Sequence, residues 1–214
     1  MVKLYFGQSI TLHLVRGLKA GFSSTVIEHL VQYCQQMPKA AVAYFYFDFH
    51  DTGKQDTASL VRSLITQLST HCELMPPPLL DLYQAHGNGT KPVEERALIA
   101  TLRNLVLLFH NVYLVFDALD ESTNCEEVLE LIHKIQSWEL SYLHLTVTSR
   151  QLPEIEESLA DLVTDRICLH DSKLNKDVIL YVADKLENDK ILAKLSSETK
   201  GQIRSKLLAE QAGM

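Results

Sequence analysis

The sequence predicts an α/β fold in which a parallel sheet is covered by helices on both faces, and two observations support this fold class. Segments of strand-like composition alternate along the chain with segments whose apolar residues recur at helical spacing. The segment Val112–Glu121, VYLVFDALDE, starts with apolar, β-branched and aromatic residues and ends in carboxylates, which is typical of a parallel strand buried on both faces. With 214 residues, the chain is long enough to form one such domain with a proper core.

The N-terminal part of the chain has the predicted order strand, glycine loop, helix. A short strand over Ser9–Val15 is followed by Arg16–Phe22, which contains two glycines. The hydroxyl residues Ser23 to Thr25 can then cap a helix that extends to about Met37. The next segment, Ala41–Phe49, is the most strand-like of the chain because of its aromatic and β-branched content.

The remaining elements are predicted from the same periodicities. Helices are predicted from Thr57, over Leu79–His86, from Val93 to about Phe109 and over Glu126–Trp138. A strand over Leu143–Thr148, an acidic helix over Leu152–Leu162 and a strand over Arg166–Leu169 follow. Beyond Asp171 the chain is predicted to be helical, with a second helix from about Ser196. This alternation favours a parallel sheet with helices on both faces.

Composition and charge argue against several classes of function. The formal net charge is -7 and no block of lysines or arginines occurs, so nonspecific nucleic-acid binding through phosphate neutralisation is not expected. The four cysteines are scattered, and none of the nine histidines forms a His-x-x-x-His pair, so a zinc site is not expected. Because no signal peptide and no run of about 18 apolar residues is found, we expect a cytoplasmic protein without a membrane partner.

Three carboxylates follow the most strongly predicted buried strand. Asp117, Asp120 and Glu121 stand where the carboxyl end of a parallel strand faces the ligand crevice, so they can meet a metal ion and phosphates. The alternative is a buried strand that simply ends in an acidic surface turn.

Four blocks of the sequence resemble, in the correct order, a known family. SSTVIEHL, AVAYFYFDF, VYLVFDALDE and LHLTVTSR are similar to the P-loop helix, the second strand, the Walker B strand and the sensor-1 strand of the NACHT-type P-loop NTPase domain (STAND class) of fungal NLR-like proteins. The resemblance implies a parallel P-loop NTPase sheet sandwiched by helices. It also implies an NTPase core over residues 1–170 and the start of a helical subdomain, expected to be truncated, over residues 171–214.

The resemblance also implies roles for individual residues. Asp117 would hold Mg²⁺ through water, and Asp120 and Glu121 would polarise the attacking water. Arg150, together with Ser149, would contact the γ-phosphate of the nucleotide. The alternative for Arg150 is a surface salt bridge to an acidic neighbour.

The phosphate-binding loop departs from the family motif Gly-x-x-x-x-Gly-Lys-Ser/Thr. If the helix is aligned without gaps, Lys19 takes the lysine position, but Leu18 replaces the second glycine and Ala20 the hydroxyl residue. If the strand is aligned instead, Gly17, Ala20 and Gly21 match the start of the loop. We therefore predict that Gly17, Lys19 and Gly21 contact nucleotide and that the hydroxyl for Mg²⁺ is missing in either alignment.

A shifted register, in which one of the hydroxyl residues Ser23 to Thr25 supplies that hydroxyl, is the less favoured interpretation. Losing charge-assisted hydrogen bonds of about 1.5–3 kcal/mol each should weaken triphosphate binding. An unusual splice or a gene-prediction error at the loop would give the same sequence.

The function expected from these observations is a nucleotide switch. The chain would bind ATP or GTP with Mg²⁺ and would be an NTP hydrolase by family resemblance, with weak or absent hydrolysis. Its partners would be nucleotide, further copies of its own family in an oligomer, and effector and repeat domains outside this chain. The alternative is a NACHT-fold interaction scaffold that binds no nucleotide, or a fragment produced by a gene-prediction error.

Overall fold

The fold was obtained as a computed structural model, which describes residues 11–16, 22–51, 56–168, 183–189, 192 and 195–211. The chain divides into two compact units, Met1–Ile167 and Cys168–Met214. Each unit is described by itself. The expected boundary after residue 170, and the expectation that the second segment starts a truncated helical subdomain, stay predictions.

Strands and helices alternate over most of the chain up to residue 168. The elements are, in order, β1 (Thr11–Arg16), α1 (Phe22–Gln36), β2 (Ala40–Tyr46), α2 (Thr57–Thr70), α3 (Pro77–Ala85), α4 (Glu95–Val106), β3 (Asn111–Asp117), a short 3-10 turn (Leu119–Glu121), α5 (Cys125–Gln136), β4 (Leu143–Ser149), α6 (Pro153–Leu159) and β5 (Val163–Cys168).

The strands form one sheet in the order β2-β3-β4-β1-β5. β2 pairs with β3, β3 with β4, and β4 with β1, and all three pairs are parallel. The carboxyl ends of these four strands therefore lie at one edge of the sheet, where ligands bind in open α/β sheets. The predicted fold class, a parallel P-loop NTPase-like sheet flanked by helices, is confirmed.

The two faces of the sheet carry buried clusters of different size. Leu114 and Phe116 of β3 belong to the larger cluster, which also contains residues of α2, α4 and α5. Tyr113 and Val115 belong to a smaller cluster with residues of α1. Since successive strand side chains point to opposite faces, Asp117 lies on the face that α1 covers.

Two predicted boundaries differ from the observed ones. β2 ends at Tyr46 instead of Phe49, because Phe47 donates its N–H to the carbonyl of Asp117 (3.0 Å) and Asp48 then accepts the N–H of His50 (2.8 Å) in a turn. The helix after the glycine loop begins at Phe22, so it starts before the hydroxyl residues that were expected to cap it.

The second unit contains helical backbone at residues 183–188 (α7) and over Ser197–Gln211 (α8). The predicted helix from about Ser196 is confirmed by α8. The helix expected directly beyond Asp171 begins outside the described residues. Among the helices of the described ranges, none combines the length and the apolar character needed to cross a membrane.

We expect truncation of the central strand to destabilise the fold strongly. Leu114 is 0% exposed, so Leu114→Ala should lower the free energy of unfolding by about 2–5 kcal/mol, through lost burial and the cavity left behind. Leu74 is 83% exposed, so the control Leu74→Ala should change it by less than about 0.5 kcal/mol. Urea denaturation measures both values, and equal effects would contradict the assignment of β3 to the core.

Candidate functional site

Asp117, the last residue of β3, is the point where three elements meet. Ser23 approaches it from the first turn of α1, and Thr148 approaches it from the end of β4. Thr148 lies on the same face as Asp117, because strand side chains alternate and Thr146 and Thr148 follow His144, which stacks on Tyr113 of β3. The site is thus built on regular elements rather than on loops.

One carboxylate oxygen of Asp117 accepts two hydrogen bonds. The hydroxyl of Ser23 and the hydroxyl of Thr148 both donate to Oδ1, the latter at 2.5 Å. The Thr148 hydroxyl in turn accepts the backbone N–H of Ala118 at 2.9 Å. Ser23 is 4% exposed and Thr148 is 1% exposed, so these bonds are largely shielded from water.

The prediction that the hydroxyl for Mg²⁺ is missing in both alignments of the loop stays a prediction. The structure places the Ser23 hydroxyl on Asp117, which corresponds to the shifted register that the sequence disfavoured. In that register Gly21 and Ser23 match the glycine and the hydroxyl residue of Gly-Lys-Ser/Thr, and Phe22 stands in the lysine position. The start of α1 at Phe22, which the sequence alone does not show, brings Ser23 to Asp117.

The residue after Asp117 has an unusual backbone conformation. Ala118 has φ 57° and ψ 49°, in the left-handed region, where the Cβ atom crowds the following carbonyl oxygen and glycine is favoured. Ala118 therefore carries a conformational cost that glycine would not carry. The chain then enters the 3-10 turn, which Leu119 anchors in the core with 0% exposure.

That turn places Asp120 against the start of the segment after β4. Arg150 donates its backbone N–H to Asp120 Oδ1 (3.0 Å) and its side-chain Nε–H to Oδ2 (2.5 Å). The Asp120 side chain is 2% exposed and the Arg150 side chain 64%. The hydrogen bond to Asp120 raises the pKa of Arg150 above its ordinary value.

The salt bridge that was the alternative for Arg150 is therefore present. The predicted roles of Arg150 in sensing phosphate, and of Asp120 in polarising water, stay predictions. Glu121, the other member of the predicted acidic pair, accepts the N–H of Phe49 at 3.4 Å, so it holds the segment after β2.

Four further residues were predicted to contact nucleotide, Ser149 at the end of β4 and three residues of the glycine loop. Ser149 is 1% exposed and donates its hydroxyl to the carbonyl of Arg150 at 2.8 Å, on the face of β4 opposite to Thr148. Gly17, Lys19 and Gly21 lie outside the described residues. Nucleotide contacts by these four residues stay predictions.

Sequence analysis missed two residues at this edge, Thr148 and Tyr46. Tyr46 ends β2 directly beside Asp117 in the register of the sheet, and burial raises its pKa while Ser24 hydrogen-bonds its hydroxyl. Both residues could have been found from the period of two, because each shares a face with Asp117. The family resemblance of the block LHLTVTSR pointed to Ser149 and Arg150, which directly follow Thr148.

The donor set suits a magnesium ion better than a transition metal. In the described part of the chain, no three His, Cys, Asp or Glu side chains are close enough to hold a metal together. Mg²⁺ is commonly bound through one or two carboxylates, water and the phosphates of a substrate, and Asp117 with the Ser23 hydroxyl fits that chemistry. The first turn of α1 has no acidic residue of its own, and the negative group that meets this helix end among the described residues is the Asp117 carboxylate.

Comparison with known proteins agrees with this description. A family model described as Nephrocystin 3, N-terminal, matches residues 18–150, which is more than half of the chain and includes Ser23, Asp117 and Thr148. The match confirms the resemblance to the NACHT-type P-loop NTPase domain. No curated protein matches the chain in sequence.

Several solved structures are similar at low identity. The ORC1 protein of Aeropyrum pernix in complex with DNA is 12% identical, with a TM-score of 0.49 over 82% of this chain and 44% of that chain. Drosophila ORC bound to DNA is 14% identical, with a TM-score of 0.46 over 93% of this chain and 50% of that chain. The chain spans half of those chains or less, and because one fold hosts many functions, their DNA is not assigned to it.

The left-handed residue after Asp117 gives a test with a matched control. Ala118→Gly should raise the free energy of unfolding by about 1 kcal/mol, because glycine removes the cost of the left-handed conformation. The same substitution in the middle of α4, at the exposed Ala100 (Ala100→Gly), should lower it by about 1 kcal/mol, because glycine weakens a helix interior. Chemical denaturation checks both signs, and destabilisation by Ala118→Gly would show that the turn has another conformation.

Proposed function

The chain belongs to the Nephrocystin 3 N-terminal family, which is NACHT-related, and from this premise we propose that it is a nucleotide-binding switch module. ATP or GTP with Mg²⁺ is proposed to bind at the carboxyl edge of β3 and β4. The observation that carries the proposal is the Ser23 hydroxyl on Asp117, because it joins the first turn of α1 to the acidic strand end.

The chemistry of the two side chains supports this assignment. Ser23 gives its only hydroxyl proton to Asp117, so no described residue uses its lone pairs, which can accept a cation. Asp117 would hold the ion through its second oxygen, directly or through water, and the amide groups at the start of α1 would face phosphate. When bound, Mg²⁺ neutralises charge on the phosphate oxygens.

Weak or absent hydrolysis is the second part of the proposal. Phe22 stands in the lysine position of the shifted register, so the charge that should reach the terminal phosphates is not supplied there. In addition, Asp120 is engaged by Arg150. Glu121 remains as the carboxylate proposed to polarise water, and Arg150 is proposed to contact the γ-phosphate once it leaves Asp120.

The wider role follows from the family resemblance. We propose that nucleotide state controls oligomerisation with copies of the same family, in a cytoplasmic NLR-like signalling protein of fungal type. Effector and repeat domains would lie outside this chain. The net charge of -7 supports the proposal that nucleic acid is not a partner.

The second candidate function is an interaction scaffold that keeps the fold without nucleotide. The absence of Gly-x-x-x-x-Gly-Lys-Ser/Thr from the sequence favours it. The persistence of carboxylates at a strand end does not oppose it strongly, because Asp117 and Asp120 both have structural partners within the protein.

Thermal unfolding distinguishes the switch from the scaffold. A ligand present at 100 times its dissociation constant stabilises the folded state by about 2.7 kcal/mol, so Mg²⁺ with ATP or GTP should raise the melting temperature of the switch. The melting temperature is measured with each nucleotide, with and without EDTA. An unchanged melting temperature at millimolar nucleotide would favour the scaffold.

Substitution at the metal site tests which residues bind. Asp117→Ala and Ser23→Ala should each weaken Mg²⁺-dependent binding of a fluorescent ATP analogue by about tenfold or more, because each removes a group that holds or orients the ion. Thr66→Ala is the control, since its hydroxyl bonds only the carbonyl of Arg62 within α2. Equal binding by Ser23→Ala and the control would remove Ser23 from the site.

A further inference from the structure

We infer that Thr148 is a positioning residue for the proposed metal site: its hydroxyl fixes the Asp117 carboxylate and determines which oxygen faces the ligand. This inference rests on the proposed nucleotide function and deepens it. Thr148 is not among the residues that the sequence motifs assign to nucleotide, and its role follows from the contacts it makes.

The orientation of the Thr148 hydroxyl is determined by its two partners. A hydroxyl has one proton to donate and two lone pairs to accept with. Thr148 donates that proton to Asp117 Oδ1 and accepts the N–H of Ala118. The backbone of the turn after β3 therefore sets the direction of the hydroxyl, and the hydroxyl sets the rotation of the carboxylate.

The two hydroxyls act on the same carboxylate oxygen. Ser23 and Thr148 both donate to Oδ1 of Asp117, one from α1 and one from β4. Two donors from different elements restrain rotation about the bond that carries the carboxylate more than one donor does. Oδ2 receives no hydrogen bond from the described residues, and it is the oxygen left for a metal ion or its water.

Thr148 acts through Asp117 and does not contact the ligand itself. Its side chain is 1% exposed, and its proton and one lone pair are already used. Ser23 differs, because its hydroxyl only donates in the described hydrogen bonds and keeps its lone pairs. The two hydroxyls therefore have different roles. Ser23 can bind the ion, and Thr148 orients the Asp117 carboxylate that binds it.

The experiment measures Mg²⁺ affinity separately from nucleotide affinity. The 214-residue chain with a fluorescent ATP analogue is titrated with MgCl₂, and nucleotide affinity is measured again in EDTA. Thr148→Val keeps the shape and removes the hydroxyl, so the apparent affinity for Mg²⁺ should fall about 10- to 100-fold, the usual loss when a partner of a metal ligand is removed. Nucleotide affinity in EDTA should stay at the wild-type value.

Two further variants separate positioning from simple packing. Thr148→Ser keeps the hydroxyl and should retain wild-type Mg²⁺ affinity. Thr146→Val removes a hydroxyl from the same face of β4 two residues earlier, at a site that is 9% exposed, and should also behave like the wild type. If Thr148→Val does not fold, Thr148→Cys takes its place, because a thiol is similar in size but a weak donor.

Each outcome has a defined meaning. Loss of Mg²⁺ affinity in Thr148→Val with retention in Thr148→Ser supports the inference. Wild-type Mg²⁺ affinity in Thr148→Val and Thr148→Cys overturns it and leaves the proposed nucleotide function standing. Absence of nucleotide binding by the wild-type protein overturns the proposed function together with the inference that rests on it.

Discussion

The hydrogen bonds to Oδ1 of Asp117 are the interaction on which the geometry of this edge depends. They join the first turn of α1, the end of β3 and the end of β4 at a single atom. Asp117 is half-buried, and such donors stabilise its carboxylate, because a carboxylate that loses water without gaining partners is costly. The donors also fix where α1 begins relative to the sheet, so the same contact that satisfies the charge sets the position of the phosphate-facing helix end.

Among the described residues, the two faces of the sheet carry buried clusters of different size. The face with α2, α4 and α5 is held by a large cluster of fully buried aliphatic and aromatic side chains. The face of α1 has a smaller cluster, in which Tyr113 packs edge-on against Tyr33 and stacks on His144. The N-terminal end of α1 is linked to β3 by the hydrogen bond from Ser23 to Asp117, so a ligand bound at this point would act directly on α1.

Sequence periodicity predicted the fold well and the site in part, for physical reasons that can be separated. The buried strand and its final carboxylate were predictable, because apolar runs and the place where they end follow directly from burial. Thr148 was predictable in principle from alternation along β4. Ser23 was not, since the start of α1 depends on tertiary contacts. The partner of Arg150 was not predictable either, because a long exposed side chain can reach several acceptors.

Asp120 and Arg150 form an ion pair. The family resemblance gives them separate roles, in which Asp120 would polarise water and Arg150 would contact the γ-phosphate. Asp120 is 2% exposed and Arg150 is 64% exposed, so the guanidinium can leave for another anion while the carboxylate stays in place. The backbone N–H of Arg150 continues to hold Asp120 Oδ1 when the side chain moves. A terminal phosphate that attracts the guanidinium therefore also frees Oδ2 of Asp120. We propose that sensing phosphate and releasing Asp120, one of the two carboxylates proposed to polarise water, would be one event, coupled through the Arg150 side chain.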